Sequence, residues 1–198
     1  VPVLKDQGTD PTQWITGVLG VAPPPTKDGK RTDAGQGLIS LTENPNEPVL
    51  KTIRQAEAKD DYNALYGANS RNINLTGLTV NEVMALQKAH TDAGSPSSAA
   101  GAYQFLRGTL ASLIKEGRIK GDEQFTTELQ DELATALLER RGLNDFKSGK
   151  MSKEQFANNL AKEWAGLPTT AGVSYYEGDG LNKSQVRLPK VLQALASL

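Results

Sequence analysis

Two pairs of residues decide much of what this chain can become. Thr79 is followed three positions on by Glu82, and Ser152 by Gln155. Each pair can close a capping box, in which two otherwise unsatisfied N–H groups at a helix start are bonded reciprocally. Leu78 with Val83, and Met151 with Phe156, stand where a hydrophobic staple needs them. Helical spacing then recurs along the chain: Val80, Val83, Met84 and Gln87, then Tyr103, Leu106, Leu110, Leu113 and Ile114. It continues in Phe125, Leu129, Leu133 and Leu137, then in Phe156, Leu160 and Trp164, with a last helix in Val186 to Leu198. Gly142 after Arg140-Arg141, and Gly166 with Pro168, are stop signals. The Asn- and Gly-rich stretch from Tyr62 to Thr76 holds two short extended pieces, Ala64–Tyr66 and Ile73–Leu75, which read as an irregular hairpin. The expected fold is mainly α with α+β character, a helical domain over 48–198 with one small β-hairpin lobe.

Residues 1–47 differ in kind. Trp14, Ile15, Val18, Leu19 and Val21 form a small apolar cluster, followed by Pro23-Pro24-Pro25 and an aperiodic run rich in Gly, Lys, Asp and Thr. This composition reads as an extended arm or linker, either docking on a partner or packing on its own domain. The chain starts at Val1 and not Met, which suggests a processed form or a piece of something longer.

Composition closes several routes to function. In 198 residues the net charge is −1, so no bulk attraction to nucleic acid or an anionic membrane is implied. There is no cysteine and a single histidine, which excludes disulfides, thiolate metal sites and a histidine zinc cluster. No metal or cofactor is expected. No run approaches a membrane span, and the N-terminus lacks a signal peptide's basic and apolar regions. His90, near a helix end, reads as a solvated histidine. A serine triad has no other base and no nucleophile elbow beside it. The charged stretches Asp131–Glu132 and Arg140-Arg141 read as solvated faces.

Glu57 is the exception to this quiet chemistry. In the helix expected just after Pro48 and broken near Lys59, Leu50 and Ile53 mark the apolar stripe, and Glu57 falls on that stripe. A carboxylate there is costly unless paired or protonated. Desolvation and the negative end of the helix dipole should both raise its pKa. A carboxyl group protonated near neutral pH is what a general acid needs. Three loops, Tyr62–Tyr66, Ser97–Gln104 and Tyr175–Asp179, carry aromatic, amide and carboxylate groups. Sugars present both apolar faces and hydroxyls, so such loops suit a groove for glycan. Tyr103 and Gln104 offer a stacking face and an amide there, unless Tyr103 is simply a core aromatic.

The segment Glu57-Ala-Lys-Asp60, followed by Tyr62-Asn63 and Tyr66-Gly67, resembles the catalytic segment of the lambda-endolysin-like phage muramidases. The run Ser98-Ala-Ala-Gly-Ala-Tyr-Gln-Phe resembles their Gly-x-Tyr-Gln motif, the counterpart of Gly-Leu-Met-Gln in bacterial lytic transglycosylases. Trp164-Ala-Gly-Leu-Pro with its Gly/Tyr loop is similar to their Trp-Ala-Ser-Leu-Pro and the loop after it. The motifs keep the family's order over about the last three quarters of the chain. The resemblance implies a lysozyme-like fold that cuts the bond between N-acetylmuramic acid and N-acetylglucosamine in peptidoglycan. Glu57 would act alone as acid and base, closing a 1,6-anhydro ring. Asp60, Tyr62, Ser98, Gly101, Tyr103, Gln104, Tyr175 and Tyr176 would bind the glycan strand. Hydrolysis using Asp60 or Asp61 as second carboxylate is the alternative, as is a non-catalytic wall-binding or structural virion protein. The resemblance also implies a place in the phage virion or the infected host, acting on the wall in the periplasm. The arm 1–47 would then dock on tail or capsid proteins. The sequence departs from the family at Ala58, where glycine is usual, and at Lys59, where threonine is usual. Lys59 is expected to face solvent.

Overall fold

Pro48 begins the helix that everything else is placed around. In the computed structural model, which describes residues 44–68, 70–180 and 182–198, α1 runs over Glu47–Ala58 with Pro48 near its start. Proline is at home there, because the N–H it lacks would have no partner within the helix. Leu50 and Ile53 are wholly buried, as their stripe requires. The helix ends at Lys59, whose left-handed backbone (φ 53°) turns its N–H onto the Arg54 carbonyl.

Six further α-helices follow among the described residues: α2 (Val80–Asp92), α3 (Arg107–Lys115), α4 (Thr127–Arg140), α5 (Leu143–Lys147), α6 (Lys153–Glu163) and α7 (Leu188–Leu195). Both expected capping boxes form, at the starts of α2 and α6. Gly142, at φ +106°, separates α4 from α5. α5 was not expected. It has no side-chain cap and is held by packing, with the Phe146 ring stacked on Phe156 at 5.0 Å between centroids. α1 packs on α7 and α4, α6 on α7, and α2 on α3. Their inner faces meet in one core containing Tyr103, Phe105, Phe125 and Phe156. The fold is thus mainly helical, as expected.

Among the described residues the expected hairpin does not form. Ala64–Tyr66 does not pair with Ile73–Leu75. Leu65 makes an isolated bridge with Ala100, with Tyr66 N–H bonded to Ala99 O at 3.0 Å and Gly101 N–H to Ala64 O at 2.7 Å. Ile73 lies between two 3-10 turns, Ser70–Asn72 and Leu75–Gly77. Local side chains compete for the donors a ladder would use. The Asn63 side chain takes the Thr76 N–H at 3.0 Å. The described lobe is therefore built of turns and single bridges.

α3 also begins later than its apolar spacing suggests. Ala100 and Phe105 exchange both backbone hydrogen bonds (3.1 and 2.8 Å), and Gln104 has φ +50°. That conformation cannot continue a helix. Tyr103 thus sits in a tight turn ahead of the helix, while Leu106 only caps it.

Residues Pro45–Leu198 form one compact unit. The arm expected over 1–47 lies outside the described residues up to position 43.

Candidate active site

Glu57 belongs to the last turn of α1, and the chain that reaches its carboxyl comes from beyond α6. Trp164 ends α6 with an extended backbone and turns the chain back over α1. Gly166 then donates its N–H to Glu57 Oε1 at 2.7 Å. The approach is close: a Cβ on Gly166 would lie 2.8 Å from that oxygen and 2.9 Å from the Ala56 carbonyl oxygen. Here glycine serves contact, since its backbone can touch α1 where a larger residue would push it off.

Burial pushes the Glu57 carboxyl up to about 7, and the bond from Gly166 opposes that rise. Burial is the larger effect because one hydrogen bond replaces only part of a carboxylate's hydration. Lys59 is exposed, as expected, and its charge does not enter this balance. At neutral pH the group is therefore poised between donor and acceptor, the condition for general acid–base work.

The carboxyl opens on a cleft of about 940 Å³. One wall comes from the end of α1 (Gln55 to Lys59), another from Pro96–Ala99 with Gln104 and Leu106. A third comes from Glu163–Gly166, Tyr176 and the 182–185 segment. Amides, hydroxyls and an exposed tyrosine line it, which suits a polyhydroxylated ligand. Glu163 is the other carboxylate among the described lining residues, and Arg141 holds it at 2.7 Å. Among the described residues there is no group of three or more His, Asp or Glu able to hold a metal ion.

The structure brings some of the expected binding residues to this cleft. Ser98 lines it and accepts the Arg107 N–H at 3.0 Å. Gln104 lines it, with its amide donating to the Gly101 carbonyl. Tyr176, 40% exposed, lines it with its hydroxyl donating to Lys162 O at 2.7 Å. Tyr175 is 52% exposed, edge-on to Tyr176 and beneath the Lys162 ammonium, but is not part of the lining. Gly101, fully enclosed at φ +78°, is a turn residue whose Cβ would strike Gln130.

Tyr103 borders the cleft from inside the core. It is 1% exposed and packs against Phe105, so it offers no stacking face. Its hydroxyl donates to Asp131 at 2.6 Å and accepts from Arg54 at 3.0 Å. Tyr62 donates to the same Asp131 oxygen at 2.8 Å, and Asp60 takes the Arg54 Nε–H at 2.6 Å. Neither lines the cleft. Asp131, expected as part of a solvated face, is thus the acceptor at the centre of a half-buried network. Burial and the Asp131 bond raise the pKa of both tyrosines, so both stay protonated donors. Arg54, only 5% exposed, carries a second bond to Glu47 at 2.7 Å and lies against the Tyr62 and Tyr103 rings. Burial alone would lower its pKa. The bonds to Glu47, Asp60 and Tyr103 reverse that, and it stays charged. Arg54 is three residues before Glu57 on α1, so the network fixes the helix turn that presents the acid.

His90 is not simply solvated, since its Nε2 is 2.7 Å from the Tyr66 carbonyl oxygen. Gln87 and Gln130, both wholly buried, hold the two sides of the Ser98–Phe105 turn. Gln87 donates to Ser98 O and Phe105 O, and Gln130 accepts the Ala102 N–H. Their signal in the sequence was a polar residue at an apolar helical position, the same signal that singled out Glu57.

A family model described as Endolysin matches residues 47–188 of the chain. No curated protein and no solved structure matches it significantly.

Proposed function

The chain belongs to the endolysin family, the phage enzymes that degrade host peptidoglycan, and on that premise we propose that it is a muramidase working by lytic transglycosylation. Glu57, protonated, gives its proton to the glycosidic oxygen between N-acetylmuramic acid and N-acetylglucosamine. The bond from muramic C1 to that oxygen breaks, and the N-acetylglucosamine end leaves with a 4-hydroxyl. The muramic 6-hydroxyl then attacks C1 and yields its proton to the Glu57 carboxylate. A 1,6-anhydro sugar forms and the acid is regenerated without water.

One observation carries this reading. Glu57 lies in the cleft with its pKa raised to about 7, and the other carboxylate in the described lining, Glu163, is neutralised by Arg141. A hydrolase of the usual kind needs two carboxylates flanking the bond. Asp60 is held by Arg54, and Asp61 accepts the Asn63 N–H at 2.9 Å. Both are outside the cleft lining. Ser98, Gln104 and Tyr176 would hold the N-acetylated sugars. Residues 1–47 would dock the enzyme on a tail or capsid protein, placing it in the virion.

Mass spectrometry of purified peptidoglycan digested by the wild type and by Glu57→Gln tests the assignment. Anhydro-muropeptides are expected from the wild type, with the variant slower by roughly 10²–10⁴-fold, the usual worth of a positioned acid–base. Reducing-end products, heavier by one water, would replace transglycosylation by hydrolysis. Equal cleavage by both proteins would remove Glu57 from the chemistry. No cleavage by either would favour a wall-binding role.

A further inference from the structure

Among the described residues, few non-glycine positions have left-handed backbones. The described ones are Lys59 (φ 53°), Asp60 (φ 68°) and Gln104 (φ 50°), and all three lie in or beside the segments that wall the cleft. Such conformations disfavour side chains and are retained where something else requires the residue. For two of the three the requirement is visible. Asp60 is tied to Arg54 at 2.6 Å, and the Gln104 amide closes on Gly101. Lys59 is different. It occupies the position after a helix where glycine is the least strained choice. Its ammonium has no hydrogen bond or ion pair among the described residues, and it lines the cleft just beyond Glu57. Nothing within the fold repays lysine at this place.

A second lysine matches it. Lys183, on the 182–185 segment, also lines the cleft, and its ammonium has no partner among the described residues. The described charged residues of the lining are then Glu57, Lys59, Glu163 and Lys183. Arg141 cancels Glu163, and Glu57 is half protonated near pH 7. Although the net charge of the chain is −1, the described lining carries more free cation than anion. Two ammonium groups lining one cleft, neither engaged in the fold, are a receptor for anionic groups on whatever occupies it.

We propose that Lys59 and Lys183 form a carboxylate-recognition subsite that makes this cleft selective for acidic glycan strands over neutral ones. The proposal rests on the muramidase reading. In peptidoglycan the carboxylates have two sources: the stem peptide, or the lactyl ether of muramic acid where the peptide has been removed. The chemistry demanded of the lysines is the same for both.

The test measures kcat and KM of the full chain on three substrates. These are peptide-bearing glycan, glycan stripped of peptide so that the lactyl carboxylate is free, and stripped glycan with that carboxylate amidated. Lys59→Gln and Lys183→Gln should each raise KM roughly ten- to a hundredfold on acidic substrate, the worth of a charge-assisted bond, with kcat little changed. Neither variant should alter KM on the amidated glycan. A defect confined to peptide-bearing strands assigns the stem peptide, and one confined to stripped strands assigns the lactyl group. Lys59→Arg should restore the lower KM. Lys59→Gly separates binding from folding. It should raise Tm by about 2–4 °C by relieving the left-handed strain, and still raise KM. Unchanged KM in both lysine variants, or equal losses on acidic and amidated strands, would overturn the subsite. If the wild type releases muropeptides and Glu57→Gln does not, that result sinks the subsite alone. A wild type that releases none sinks the muramidase reading beneath it.

Discussion

In the proposed mechanism Glu57 would link activity to stability through one proton. Folding lifts its pKa from about 4.5 to about 7. Between those values the folded protein keeps a proton that the unfolded chain gives up, so stability falls as pH rises. The contribution is whole below about pH 4.5 and is lost as pH passes through 7. Its size is about 3 kcal/mol. Glu57→Gln should therefore stabilise the fold by up to this amount at pH 8 and by almost nothing at pH 4, as urea melts at the two values will measure. The rate of muropeptide release should decline above about pH 7 as the acid ionises. The burial of Glu57 was legible in the sequence from its register with Leu50 and Ile53, although a glutamate at the edge of such a stripe can also reach water through its flexible stem. Arg54 was not. It lies one turn earlier on the same helix, and no periodicity says that Asp131 will come from a distant helix to meet it. Arg54→Ala leaves Asp131, Glu47 and Asp60 without their shared cation. It is expected to cost about 3 kcal/mol in chemical denaturation, as breaking a largely buried ion pair does.

At the scale of elements, caps and stops were readable because they are local. Thr79 with Glu82, and Ser152 with Gln155, specify helix starts through contacts spanning one turn. α5 and the lobe over 62–77 were not readable, for the opposite reason. α5 has no cap and is held by Phe146 on Phe156, while Leu65 takes its bridge from Ala100. The sequence also marked Gly166 as a stop, but only the structure shows what it stops against. Gly166→Ala places a methyl group against Glu57 Oε1 and the Ala56 carbonyl. The turn must then retreat from α1 and surrender the N–H bond to the acid. Activity on peptidoglycan should drop at least tenfold, because a displacement of about 1 Å at a reacting group costs up to 10²-fold. Helix content by circular dichroism should stay near wild type.

For the whole molecule, the core closes within Pro45–Leu198, so a chain beginning at Asn44 should fold and release muropeptides from purified wall at the wild-type rate. A loss of melting cooperativity on removing residues 1–43 would show that the domain reaches further back. The packing of α1 on α7 also has a consequence in time. The helix that carries the acid leaves the ribosome early, whereas Gly166, which grips the acid, and α7, which covers the helix, leave it late. A nascent chain halted before Leu188 lacks the α7 face that packs on α1 in the finished fold. The raised pKa of Glu57 is thus a property of the assembled domain, set by chain that follows α6 as much as by the helix that bears the carboxyl.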